Sequence, residues 1–252
     1  MRWCRHVAAL ALVDQRLFWR NRSLVMSTFV VPVALAVGVP VMAHAGRSSG
    51  ATGFAASFLT GMLALVVVYS VFLSLVVSIT ARRDQLVLKR LRATELSDSA
   101  IFAGEVLNAT VLCLAQAAAV VLAGRAVLGI RLPVSPVALA ALVVAGCAVF
   151  GFLAIAYTAV VPSAEVAPVM GLPVLFAAFL AAGVFGPVAA LPAVVRGPVG
   201  LIPLAPIATG IREAYFGRGD LAVLPAACLL LAWLAAGAAL SVRFFRWDPR
   251  RG

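Results

Sequence analysis

Charge is scarce in this chain. Of 252 residues only 12% are Asp, Glu, Lys or Arg, where a soluble domain carries about 25%. So little polar surface cannot cover a globule in water, and the 64% of hydrophobic residues must face lipid or one another. Lysine occurs once, as Lys89 between Leu88 and Arg90, with no glycine-rich turn beside it. A GxxxxGK[ST] phosphate loop is therefore absent, which excludes ATP binding by that route. No HExxH, no GxSxG and no pair of carboxylates deep in neighbouring apolar runs is present, which leaves no catalytic residue to assign. Cys4, Cys113, Cys147 and Cys228 lie far apart with no CxxC pair and read as small buried hydrophobes. His6 and His44 are isolated, so neither a metal nor a cofactor is expected on this chain.

Acidic residues number nine against twenty basic ones, a net charge of +11. The basic residues fall between apolar runs rather than on a face of a soluble fold. They read as flanks that hold the chain against anionic lipid, not as a nucleic-acid surface.

Long apolar runs are what the chain has in abundance. A span needs about 20 apolar residues, and six such runs fit one all-α, polytopic membrane domain over 1–252: 24–45, 54–79, 101–124, 136–161, 166–185 and 221–242. Residues 1–23 carry Arg2, Arg5, Arg16, Arg20 and Arg22 among Trp3, Phe18 and Trp19; as a helix they put Val7, Leu10, Val13 and Leu17 along one side, suited to the membrane surface. The Ala43-His44-Ala45 run resembles a signal-peptidase site, but the apolar stretch before it exceeds the usual h-region of about 7–15 residues, which favours a retained helix. Residues 186–220 are apolar yet hold Pro187, Pro192, Pro198, Pro203 and Pro206. That combination excludes one continuous helix and a solvated loop alike, leaving short helices re-entering the outer leaflet.

Two spans carry polar residues at helical spacing. Ser70, Ser74 and Ser78 recur every four residues on the second, which serves either close helix packing or a polar path. Glu105, Asn108 and Gln116 share a face of the third, a face that must turn inward because lipid cannot pair with it. Glu105 is equally readable as a residue snorkelling to the interface. Between these spans, 81–99 is the one strongly polar internal segment. Its Val87, Leu88 and Leu91 cluster on one side of a helical wheel, with Gln85, Lys89 and Arg92 on the flank, as in a short amphipathic surface helix. Ser97 and Asp98 are placed to cap the helix that follows.

Five Lys/Arg precede the first span, five lie in 81–99 and four in the tail, against six on the opposite side. The positive-inside rule puts both termini and 81–99 in the cytosol of a bacterial-type inner membrane.

This order of elements resembles the permease subunit of ABC exporters of the type-2 family, over nearly the whole chain. The most specific stretch, Arg82 to Ser97, is similar to the family's acidic-Arg-acidic-x-Gly-Thr-Leu-x-x-Leu-x-x-Thr-Pro-Leu-Ser pattern. Arg83, Asp84, Leu88, Leu91, Thr94, Leu96 and Ser97 match, whereas Arg82, Leu86 and Glu95 replace the usual acidic residue, glycine and proline. A second likeness is Gly183-Val184-Phe185-Gly186-Pro187, followed by Leu191-Pro192 and by Pro203 to Pro206.

The resemblance implies a second permease, identical or related, and two cytosolic ATPase subunits that hold ATP and Mg. It makes 81–99 a coupling helix, anchored in the ATPase by Leu88 and Leu91, with Arg83, Asp84, Lys89, Arg90, Arg92 and Thr94 around them. Cargo would pass near spans one, two and five, with Ser70, Ser74, Ser78, Glu105, Asn108, Gln116, Phe176, Phe179 and Phe185 as candidate lining. The apolar lining favours an amphiphilic, drug-like or lipid-like cargo moved outward. Two other readings remain open: a membrane scaffold that recruits a cytosolic partner, and a secondary transporter, although no repeat of broken helices is visible in the two halves.

Overall fold

The computed structural model describes residues 2–44, 51–85, 98–184, 192–217 and 224–244. Among these every regular element is helical: α1 (Arg2–Arg20), α2 (Arg22–His44), α3 (Ala51–Val67), a π-helical turn at Val68–Leu73, α4 (Ser74–Asp84), α5 (Asp98–Leu128), α6 (Pro136–Tyr157), α7 (Ala167–Ala181), α8 (Ala193–Leu201), α9 (Leu204–Phe216) and α10 (Leu224–Phe244). In hydrocarbon a helix is the form that satisfies its own backbone, which is why a chain this apolar adopts little else.

Four stretches are long and apolar enough to cross a membrane: Val25–Ala43, Gly53–Asp84, Ile101–Leu128 and Pro136–Tyr157. Helices α8 and α9 meet at an 85° bend and make a fifth if the pair is counted as one span. The expected count of six is thus not reached among the described residues. The fifth expected span is the 15-residue α7, and Ala226–Ser241 in the place of the last is also short for a crossing.

The second span also runs on further than expected. α3, the π turn and α4 form one 32-residue helix to Asp84, so residues 81–84 close that helix instead of opening a separate one. This helix is the centre of the bundle: 67% of its most apolar stretch is buried, against 22% for that of Val25–Ala43. Leu59, Leu63, Val67, Val71, Val76 and Ile79 form its buried face, and α2, α5, α6, α7 and α9 pack around it. α1 lies along α5, and α10 along α6. The apolar side foreseen for α1 divides: Val7 is buried, whereas Val13 and Leu17 are exposed and Ala11 takes the inward position.

Two helix ends are set by glycine. Gly129 follows α5 and Gly183 follows α7, at φ of 66° and 62°, left-handed values at which a side chain is strained.

Candidate functional site

The serine face of the central helix and the polar face of α5 meet. Ser70, in the π turn, bonds through its hydroxyl to the Gln116 side-chain oxygen, and Gln116 Nε2 donates to the Thr28 carbonyl on α2 at 2.9 Å. Two turns further on, Ser78 Oγ donates to Glu105 Oε2 at 3.4 Å. Gln116 is 1% and Glu105 6% exposed, so three helices are held by polar contacts made away from water, where each partner answers a group that lipid cannot satisfy. Ser74 takes no part, because its hydroxyl turns back onto the Ser70 carbonyl of its own helix. Asn108 takes part through its backbone, whose carbonyl accepts from Gln15 Nε2 of α1 at 3.4 Å.

The Asp84 end of the central helix carries the charge. Arg82 Nη2 lies 2.7 Å from Glu105 Oε1 and 3.3 Å from Asp14 Oδ2. Arg83 points the opposite way, is 2% exposed, and donates to the carbonyls of Thr158 at 3.0 Å, Val161 at 2.7 Å and Pro162 at 3.2 Å. These carbonyls follow the last turn of α6, where a cation offsets the negative end of the helix dipole. Asp84 completes the clamp by accepting from the Ala164 amide at 2.7 Å, just ahead of α7, where the dipole favours an anion. The guanidinium expected at the rim of a partner surface is therefore engaged inside the chain.

On the other side of the central helix lies a cleft of about 170 Å³ lined by Val31, Pro32 and Leu35 of α2, Met62, Leu65 and Val66 of α3, Tyr69 of the π turn, and Leu175 and Phe179 of α7. No charged side chain lines it. Neighbouring residues of a helix point about 100° apart, so Tyr69 faces the cleft while Ser70 faces α5. π turns of this kind recur at functional sites. Phe176, also proposed as lining, is 68% exposed and absent from the cleft wall.

The bundle thus holds a polar seam inside it and an apolar cleft beside spans one and two. The ABC-2 type transporter family matches this chain over residues 6–216. The chain belongs to the ABC-2 type transporter family. The match takes in α1 through α9, including the charged end of the central helix and the bent pair α8–α9. No curated protein matches the chain. ABC-2 membrane domains are permease components that carry no catalysis of their own, and membership implies association with an ATPase subunit. This ABC-2 chain is a multi-pass integral membrane protein.

Of the residues expected to couple to an ATPase, Arg83 and Asp84 lie at the end of the ABC-2 central helix. Leu88, Lys89, Arg90, Leu91, Arg92 and Thr94, like Phe185 of the lining set, lie outside the described residues. Sequence reasoning passed over Asp14, Gln15, Thr28, Tyr69 and the partners of Arg82. Arg82 alone carried a signal, as the basic residue where the family pattern has an acid.

Proposed function

We propose that this chain is the permease of an ATP-driven exporter whose cargo is apolar or amphiphilic. The cleft between α2, α3 and α7 carries this reading: it is walled by aliphatic and aromatic side chains, with the Tyr69 ring at the π turn, as suits a ligand that brings mostly hydrocarbon. Two such permeases, a homodimer or a heterodimer, would place the cargo path between them. Two cytosolic ATPases would bind ATP and Mg and act on 81–99, a segment continuous with the helix that forms one wall of the cleft. Closure of the ATPases would tilt the central helices and exchange inward for outward access, a rigid-body switch. The whole assembly would sit in a bacterial inner membrane with both termini in the cytosol, as the distribution of Lys and Arg supports.

The test is reconstitution with the partner ATPase in vesicles. Leu91→Asp is expected to abolish stimulation of ATP turnover, and Val66→Trp, which fills the cleft, to abolish cargo-dependent stimulation while complex formation persists. Full stimulation in the Leu91→Asp variant would overturn the coupling assignment, and full cargo response in the Val66→Trp variant would overturn the cleft as cargo site.

A further inference from the structure

Position 82, two residues from the Asp84 end of the central helix, is an arginine. Asp14 and Glu105, two of only nine acidic residues in the chain, converge on it from two other helices. One nitrogen, Nη2, lies 2.7 Å from Glu105 Oε1 and 3.3 Å from both carboxylate oxygens of Asp14. The side chain of Glu105 is 7% and that of Asp14 19% exposed. A carboxylate buried to that degree needs a cation beside it, and an acid at position 82 would have set three carboxylates together. The arginine and its two acids form one matched set.

We propose that Arg82 is a latch, fastening α1 and α5 to the Asp84 end of the central helix. α1 then moves with the residues that lead into 86–97 instead of riding freely on the membrane surface. α1 already packs along α5 and donates to it through Gln15; Arg82 adds the tie to the central helix, and its removal would leave two carboxylates facing each other. Arginine suits the task because its planar fork presents several donors to two partners, where lysine is a single point of charge. The latch belongs to the permease by itself; only its consequence for coupling rests on the function proposed above.

The experiment uses the purified full chain without ATPase. In a Cys4→Ser, Cys228→Ser background, Ala11→Cys places a thiol on the inward side of α1, and its rate of reaction with a charged maleimide reports docking. Arg82→Glu is expected to raise that rate by about tenfold or more, as loss of the partner of a buried charge implies. Asp14→Arg added to Arg82→Glu restores one arginine between two carboxylates, and should return the rate to within about threefold of the parent. Where Arg82→Glu alone fails to fold, Arg82→Gln with Glu105→Gln removes the buried charge as well as the latch; it should fold, as judged by thermal unfolding, and still label faster. Unchanged labelling in that neutral pair, or faster labelling in Arg82→Glu that Asp14→Arg does not reverse, would overturn the latch. A latched α1 in a permease that no ATPase responds to would instead sink the coupling reading and leave the latch standing.

Discussion

Arg83 Nη2 lies 2.7 Å from the carbonyl oxygen of Val161, 78 residues along the chain. With the bonds to Thr158 and Pro162, this one side chain closes the end of α6 and fixes the turn into α7. Arg83→Met retains the bulk and removes the donors, leaving carbonyls buried and unpaired. Each costs about 1–3 kcal/mol, so a loss of about 3 kcal/mol is expected in reversible denaturation in detergent micelles. Arg83→Lys should fall between the two, since an ammonium cannot reproduce the fork.

Gln116 joins the π turn to α2 through Ser70 and the Thr28 carbonyl. Gln116→Leu fits the space and breaks both bonds. Interhelical hydrogen bonds in membranes average about 0.6 kcal/mol, with a maximum near 1.7, so a loss of about 1 kcal/mol is expected. The same denaturation measurement on Ser70→Ala should show no further loss once Gln116→Leu is present.

Gly61 marks the closest approach of α3 to the end of α7: a Cβ there would stand 3.0 Å from Val184 Cα and 3.1 Å from the Ala182 carbonyl oxygen. Backbone cannot swing aside as a side-chain tip does. Gly61→Ala should cost about 1–2 kcal/mol through overpacking. Gly38→Ala on α2, where a Cβ meets nothing within 4 Å, should cost nothing in the same assay.

The two polar faces were legible in the sequence because a 3.6-residue repeat is a local property: spacing by four put Ser70 and Ser78 on one side, and spacing by three and eight put Glu105, Asn108 and Gln116 on another. That these faces answer each other was not legible, since nothing local names a partner on a different helix. Ser74 shows the limit of the spacing argument, because a hydroxyl inside a helix has its own backbone carbonyl within reach. The stretch Arg82-Arg83-Asp84 read as part of a solvated surface helix on account of its charge. Its charges are instead spent on a helix end, a loop amide and two carboxylates, all supplied by distant segments. The apolar runs announced the four long spans; around α7 and the α8–α9 bend, where prolines and short runs meet, composition alone did not fix the number of crossings.

The wide turn at Val68–Leu73 lets a 32-residue rod hold one residue more than regular helix would over the same turns. A π turn closes from i to i+5 instead of i+4, and so takes up an extra residue locally while the helix on either side keeps its facing. A residue deleted within the turn is therefore absorbed by closing it to an ordinary one, whereas a residue deleted from the regular helix beyond it swings the remainder by about 100°. In that second case the two arginines at the far end face the wrong neighbours, so the rod gives way to a lost residue where it is already wide and nowhere near its charged end.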